Sequence, residues 1–487
     1  MDPCTVCAHT RLRQNPYIDG KVTRTISIQE APLELWAAAT AGQGPRYLRI
    51  VGFIERAIAD GRLRPGDRVP PQRQLAGLLD IDLTTVTRAY AEAQARQLIH
   101  ARGAYGTFVS SPKVELAPII DLGMNIPPPP GQVDLGELLK QCVGQVLTHT
   151  DANALMTYHP SGGSKADRVA GTLWLAPMLG KVDPRLVATC PGAQSALTGL
   201  ILSLTQPGDG IAVEPLVYPG VLSAAHQLGR HVVTVACDEH GMLPDALIRA
   251  CREQGAKVIY LNSTLQNPTA HTMPAQRRRD IAMAARECNV HVIEDDPYWR
   301  LAHNAPPPIA HSAPERVHYV STLSKCLAPG LRTAYVVSPD ESMQSRFLSA
   351  LHAITLMAAP LTAAVTTQWM HDGTAFQLLE EVKAESQARL RLAEHLLARR
   401  DQTWPTTGIH VWYTLPEPWT ARHLMRAARA EGLAVTASDA FSASGEEVRA
   451  IRLSLGGARE RARLTQGLQK LAAVLERGEE EAGRIVV

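Results

Sequence analysis

Val317-His318-Tyr319-Val320-Ser321-Thr322-Leu323-Ser324-Lys325 opens as a short β-prone run and closes on a hydroxyl-rich turn that presents a single lysine. The run at 317–320 belongs to a series. Candidate strands at 211–214, 231–236, 257–261, 290–294 and 333–337 are of the same kind, and helical patterns near 193–205, 218–228, 243–254 and 274–288 lie between several of them. Parallel strands need long crossovers, which helices supply, so this alternation predicts a largely parallel sheet covered by helices. Ligands of such sheets gather outside the carboxyl ends of the strands, where Lys325 would stand. After Pro360 a long helical stretch runs to about Arg400 and leads to a smaller α+β unit with strands near 408–414 and 448–454. No internal repeat is visible.

The chain has 487 residues, enough for about three domain-sized units. Hydrophobic residues make up 45% and charged residues 20%, which excludes global disorder. No window holds the ~18 to 20 consecutive apolar residues of a membrane span, and the first thirty residues are too polar for a secretory segment, so we expect a cytoplasmic protein. Eight cysteines are too sparse for a disulfide framework. Cys4 and Cys7 have C-x-x-C spacing but no second Cys or His pair at a matching distance, and we expect no metal. The net charge of +2 hides an asymmetry. Residues 46–110 hold ten arginines, no lysine and six acids, a balance of +4, while the rest is slightly acidic. A small basic module fused to a large acidic one points toward DNA.

Local patterning in that module agrees. Tyr47, Ile50, Val51, Ile54, Ala57 and Ile58 recur at helical spacing, and Gly61 ends the helix. Pro70 and Pro71 fit the start of a second helix striped by Leu75, Leu78 and Leu79. Asp80-Ile81-Asp82 makes a tight turn with Asp82 as N-cap of a third helix, Leu83 to Gln97. Leu98–Arg102 and Thr107–Val109 flank Gly103-Ala104-Tyr105-Gly106 and read as a hairpin, or wing. Residues 1–45 lack sustained periodicity and read as a loosely attached arm. The run Pro127–Pro130 favours extended polyproline II, and 111–150 reads as a linker.

Gly61-x-Leu63-x-x-Gly66, Val69-Pro70-Pro71-Gln72-Arg73-Gln74-Leu75-Ala76, Thr84-Thr85-Val86 and Gly106-Thr107-Phe108-Val109 resemble the GntR winged helix-turn-helix. Residues 151–480 are similar to a fold-type I aminotransferase dependent on pyridoxal 5'-phosphate, and the order of the two resembles the MocR subfamily of regulators. The resemblance implies a mostly parallel sheet of the seven-stranded type, a small C-terminal α+β unit and an N-terminal DNA-binding domain over 46–110. It also implies roles. Lys325 would link reversibly to the cofactor's aldehyde. Asp295, at the end of the 290–294 run, would keep the pyridine nitrogen protonated, with Asp296 the competing carboxylate; Tyr298 and Asn267 would bond the phenolic oxygen, and Tyr218 would stack on the ring. Ala193 and Gln194 after Gly192, with Thr322, Ser324 and Arg332, would hold the phosphate. Arg452 would take a substrate carboxylate bidentately. Tyr158 would reach a neighbouring subunit's phosphate, which requires a homodimer. Arg73, Thr84, Thr85, Arg102 and Gly103 would face DNA. Four positions depart from the family pattern: Ala270 for glycine, Asp167 for leucine, and Leu83 and Thr87 where relatives often carry arginine.

These parts imply a transcriptional regulator that senses an amine or amino acid. A working aminotransferase that keeps a DNA module is the rival reading, since no catalytic group is missing from the sequence, and a cofactor-binding protein that only associates with partners is the third.

Overall fold

The computed structural model describes residues 33–41, 44–101, 103–110, 119–131, 133–159 and 162–482. The chain divides into two units, residues 1–117 and 118–487. Arg102, Cys4, Cys7 and most of the 1–45 arm lie outside the described residues.

The first unit contains α1 (Arg46–Ala59), α2 (Gln72–Leu79), α3 (Leu83–Ala95), β1 (Ile99–Ala101) and β2 (Thr107–Val109). Its core is the apolar stripe of α1, Ile50, Val51, Phe53, Ile54 and Ala57, packed on Leu75, Val86, Ala89, Tyr90 and Val109. Asp82 caps α3 by accepting from Thr85 N at 3.0 Å. The β1–β2 pairing is antiparallel, with His100 opposite Phe108. Gly106 turns the wing at φ +108°, a conformation that strains any side chain, and a Cβ there would also displace the Arg68 guanidinium 2.7 Å away. The reading of 1–45 as a loose arm fails at its end. Leu33–Ala38 form a 3₁₀ turn whose Trp36 is 0% exposed, with its ring 5.4 Å from that of Phe53. Arg49 Nη1 donates to Thr40 O at 2.8 Å and fixes the turn to α1. A single large apolar residue without periodic neighbours carries no helical signal, yet it closes this small core.

The second unit begins with β3 (Ile120–Asp121), α4 (Leu135–His149), α5 (Ala152–Leu155) and α6 (Lys165–Leu179). There follow β4 (Val187–Cys190), α7 (Ala193–Leu204), β5 (Gly210–Val213), α8 (Pro219–Gln227), β6 (His231–Thr234), and the ribbon β7 (Cys237–Asp238) with β8 (Gly241–Met242). Next come α9 (Pro244–Glu253), β9 (Ala256–Leu261), α10 (Ala275–Glu287), β10 (His291–Asp295), α11 (Ile309–Ser312), β11 (Val317–Thr322) and β12 (Ala334–Val337). Helices α12 (Glu341–Thr355), α13 (Pro360–His371) and α14 (Thr374–Leu397) lead to β13 (His410–Thr414), α15 (Ala421–Ala430), β14 (Leu433–Ala434), β15 (Thr436–Ala437), β16 (Ala450–Ser454) and α16 (Arg461–Ala482).

Seven strands form one sheet in the order β4-β12-β11-β10-β9-β5-β6, parallel except for β12, which runs against both neighbours. Successive residues alternate between two apolar layers: Val292 and Tyr319 enter one, Ile293 and Val320 the other. Burial on both faces explains the near-continuous apolar runs in the sequence.

Two assignments are corrected here. The helical stretch from 360 to 400 is two helices, broken where Gly373 takes φ +86°. Residues 119–150 are not a linker, because β3 pairs with β14 and α4 packs its Cys142 and Val146 into the main core. The four prolines occupy only the short bridge between those elements. The 24-residue α14 joins the two cores of the unit, placing Leu378, Leu379 and Val382 in the large one and Leu390, Ala393 and Leu397 in the small one. Among the described residues no helix is long and apolar enough to cross a membrane.

The loop after β9 is held from behind by Arg278, a fully buried cation on α10. Its Nε donates to Met273 O (2.9 Å) and its Nη2 to Ser263 O (2.8 Å) and the Thr264 hydroxyl (3.1 Å). Buried acceptors left behind by a truncated arginine would have no water to turn to.

Two stability outcomes are expected. Trp36→Ala should lower the protection of α1 amides against hydrogen exchange by about 3–5 kcal/mol, and protection unchanged within error would return residues 33–38 to the status of an arm. Arg278→Leu should cost roughly 3–5 kcal/mol in denaturant unfolding of the second unit, whereas a loss under ~1 kcal/mol would show that the loop does not depend on it.

Candidate functional site

The carboxyl ends of β9, β10 and β11 deliver three segments to one place. Glu294, Asp295 and Asp296 are consecutive at the end of β10, and the two-residue period of a strand sends them to opposite faces. Glu294 turns to one side, where it accepts from Ile309 N and Ala310 N at 2.9 Å and from the Ser263 hydroxyl at 2.7 Å, capping α11. Asp296 lies on that same side, accepting from Tyr319 and Thr264 at 3.1 Å. Asp295 alone points the other way, toward Lys325. Its Oδ2 accepts from the Tyr260 hydroxyl at 2.8 Å, while its Oδ1 is buried without a partner. Burial pushes its pKa up to about 6 against the pull of the Tyr260 bond and the Lys325 charge.

Lys325 follows β11 in a turn whose geometry the hydroxyls set: Thr322 Oγ1 donates to Thr333 O (3.1 Å) and accepts from Ser324 N (3.2 Å). The Lys325 amine donates to the Asn125 carbonyl at 2.5 Å. Burial, then the Arg452 charge, lower its pKa to about 8, with Asp295 opposing and Arg332 adding to the fall.

Tyr298 is buried behind Asp295 and its hydroxyl accepts from Asn125 Nδ2 at 2.9 Å, which leaves its own proton for a further acceptor. Burial raises its pKa. Its ring lies 5.3 Å from that of His410 on β13. His410 Nε2 lies 3.1 Å from Gln266 O, and burial with the Arg452 charge drops its pKa to about 3, so the ring stays neutral.

Asn267 belongs to the loop after β9 that Arg278 anchors. Its N–H donates to Asn262 Oδ1 at 2.7 Å and its Oδ1 accepts from Arg452 Nη1 at 2.8 Å. Ala270 in the same loop takes φ +58°, the left-handed region a glycine would enter at no cost; the strain, about 1–2 kcal/mol, is held by the Ala270 N to Gln266 O bond of 2.6 Å. Arg452, on β16, is buried with its guanidinium 4.9 Å over the Phe441 ring. Its Nη2 donates to the Gly123 carbonyl, and its Nε has no partner.

A second cluster adjoins the first. Gly192 adopts φ +94° before α7, and Arg332 lies across it, its Nη2 2.7 Å from where a Cβ would be. Ala193 and Gln194 open the helix with no side-chain cap, so the helix start offers free N–H groups and the positive end of its dipole. Gln194 Nε2 donates to Gly220 O (2.9 Å), and Gln194 Oε1 accepts from the Tyr218 hydroxyl (3.1 Å), which fixes the tyrosine at the start of α8. Burial and then the Asp295 charge raise the Tyr218 pKa, while Arg332 and Arg452 oppose them, so all four lie within electrostatic reach.

Lys325, Asp295, Tyr298, Asn267, Arg452 and Tyr218 therefore converge, with Ala193, Gln194, Thr322, Ser324 and Arg332 beside them. Tyr158 does not join this buried cluster; it is 76% exposed, in the turn after α5. Asp167 fits the position of leucine because it closes a capping box with Ser164 and accepts from the Thr367 hydroxyl at 2.7 Å, bridging α6 to α13. Sequence reasoning missed Gly123, Asn125, Tyr260, Asn262 and His410. Tyr260 was accessible in principle, being the strand neighbour of Ile293 on the face Asp295 shares.

In the first unit, Arg73 is exposed on α2 and Gly103 sits at the wing tip with φ +53°. Thr84 and Thr85 both turn their hydroxyls to the Asp82 carboxylate, which those bonds lower to about 2. Thr84 remains exposed and Thr85 half-buried at the start of α3. Thr87 bonds Gln72 at 2.8 Å, and Leu83 stands 41% exposed at the helix start.

Comparison with known proteins matches residues 117–471 to the family "Aminotransferase class I and II" and residues 46–109 to "Bacterial regulatory proteins, gntR family". The chain is 29% identical to an uncharacterized HTH-type transcriptional regulator, YdeF, of Bacillus subtilis, over 92% of this chain and 98% of that one. It is 28% identical to the HTH-type transcriptional regulator TauR of Rhodobacter capsulatus over 66% and 72% of the two chains. Among solved structures, the multiple substrate aminotransferase of Thermococcus profundus superposes with a TM-score of 0.67 at 26% identity, over 76% of this chain and 93% of that one. A sheet of this order, the converging lysine and acid, and a winged helix-turn-helix ahead of them thus agree with both matches: the chain belongs to the class I and II aminotransferase family and has the GntR-headed architecture of the MocR subfamily.

Proposed function

We propose that this protein is a DNA-binding transcriptional regulator that holds pyridoxal 5'-phosphate at Lys325 and responds to an amine or amino acid. The observation that carries the reading is the buried, unpartnered Oδ1 of Asp295 beside a lysine of lowered pKa. An orphaned carboxylate oxygen is costly, and a protonated pyridine nitrogen is the donor that would satisfy it. The remaining residues fit the same group. Tyr298, with a proton to give, and Asn267 would hold the phenolic oxygen; Tyr218 would lie against the ring. The N–H groups at Ala193 and Gln194, the hydroxyls of Thr322 and Ser324, and Arg332 would hold the phosphate. Arg452 would take a ligand carboxylate, and Tyr158, exposed in one subunit, would reach the phosphate of a second in a homodimer.

When bound, the cofactor supplies a reversible link to primary amines and an electron sink. The chain's own residues do the rest. Lys325 presents a neutral amine above pH 8. Asp295, ionised above about pH 6, holds a proton at the ring nitrogen. The neutral His410 excludes a second cation from beside Arg452. In the first unit, Arg73, Arg102 and Gly103 would meet the duplex, with Thr84 and Thr85 fixing the first turn of α3. Regulator-named relatives, one of them matching 92% of this chain, favour sensing over turnover. The presence of every residue that amino transfer requires keeps a catalytic reading testable beside it.

Lys325→Ala should remove the visible Schiff-base band of the loaded protein and with it any ligand-dependent change in DNA affinity; a ligand response that survives the substitution overturns the proposal. A ligand that bleaches the band, followed by its return with a 2-oxo acid, would establish turnover instead. In the cofactor-free chain, the rate of cofactor capture should rise with pH through a midpoint near 8, because the lysine must lose its proton before it attacks. Asp295→Asn removes a charge that favours the ammonium, so the midpoint should fall; a midpoint near 10, or a rise in the variant, contradicts the electrostatics described.

A further inference from the structure

We propose that residues 119–126 form a strap that couples occupancy of the site to the chain leading into the winged unit, a device that rests on the cofactor reading above. Eight residues, 111–118, separate the strap from Ser110, the residue after β2. The strap is tied down at both edges. Ile120 N and Leu122 N donate to Gly432 O and Ala434 O at 2.8 Å, and Leu122 O accepts from Ser454 N, two residues from Arg452, at 2.8 Å. The Asp121 carboxylate accepts from Gly123 N (2.8 Å) and Met124 N (2.9 Å), so the turn holds its shape as one piece.

Two of its residues, Gly123 and Asn125, meet three groups of the site. Gly123 O accepts from Arg452 Nη2 and from the Thr436 hydroxyl at 3.0 Å. Asn125 O accepts from the Lys325 amine, and Asn125 Nδ2 donates to Tyr298. Both carbonyls have partners that depend on what the site holds. A carboxylate gripped by the fork of Arg452 competes for donors now committed to Gly123 O and Asn267 Oδ1. The Lys325 amine is a cationic donor to Asn125 O only while it is not linked to an aldehyde. An amino acid in the site thus takes a donor from Gly123 and, by freeing the lysine, gives one to Asn125. The strap is paired over two residues and packs Ile120 and Leu122 into the small core, so a change of partner at Gly123 or Asn125 is felt by that packed segment as a whole. Different hydrogen-bond partners in the two states are the differential contacts that coupling requires.

The test uses the full chain loaded with pyridoxal 5'-phosphate. Its probe is aminooxyacetate, which carries a carboxylate and an aminooxy group that displaces a lysine from its imine without oxidation or reduction. Hydrogen exchange of amides 120–126 should change by ~5-fold or more on adding the probe, and affinity for a duplex selected from a random library by the full chain should change by a similar factor. Thr436→Val removes one of the two donors to Gly123 O while leaving the absorption band, and should lower the probe concentration at half-effect several-fold. Six Gly/Ser residues inserted within 111–118 should preserve the spectral shift and the strap's response but abolish the change in DNA affinity. A spectral shift with strap exchange unchanged overturns the strap alone, as does an insertion variant that still transmits. Absence of any cofactor band in the loaded wild type overturns the cofactor reading and the strap together.

Discussion

A carboxylate buried at the end of β10 with one oxygen unpaired is the constraint around which the large unit is arranged. Leaving such an atom dry costs about 1–3 kcal/mol, and the surroundings are built to keep it there. Tyr260, one strand away, satisfies the other oxygen, and Lys325, from the next strand, supplies the nearest charge. Oδ1 has no partner, and both flanking acids face the opposite layer, where Arg278 and Tyr319 lie. The period of a β-strand does this sorting without further machinery. It is why Asp295, not Asp296, is the group available to a ligand.

The same site draws on parts of the chain that are far apart in sequence. Arg452 comes from the small sheet, Tyr298 from the turn after β10, and Asn125 from a strap whose β3 pairs with β14 in a two-stranded ribbon of its own. The long α14 runs through both cores, and the Arg389–Glu385 pair, 2.7 Å apart and buried, locks that helix to the turn after β16 through the carbonyls of Leu455, Ala458 and Arg459. Arg461 adds a second cation to Glu385, whose carboxyl sits below its ordinary value because hydrogen bonds and charge from both arginines outweigh burial. The strap packs Ile120 and Leu122 into the small core while Gly123 and Asn125 touch groups of the site, so it lies between the two.

Most of the site was legible from local motifs. The turn ending in Lys325, the acids closing β10, the Asn267 loop and the glycine before α7 are each short enough to be read in one window. Two departures from the family pattern resolved physically: Asp167 found a capping box and a threonine on α13, and Ala270 accepts a left-handed backbone that neighbouring hydrogen bonds enforce. What escaped was of another kind. Residues 119–126 show no periodicity, and the proline run that follows made them look like a tether. Trp36 looked equally unattached. In each case a single strand pair or a single aromatic contact decides, and neither leaves a repeating pattern.

Sequence alone determined most element types, the two-part architecture and the motif-borne groups of the site, because strand period, helix caps and turn chemistry are local. Tertiary structure decided which face each acid of β10 takes, that the hydroxyls of Thr84 and Thr85 turn to Asp82, and that the strap lies under Arg452 and Lys325. Those outcomes depend on pairing between residues up to 329 positions apart, as Gly123 and Arg452 are. Such pairings are selected by the collective burial of two cores, and no window of sequence contains them.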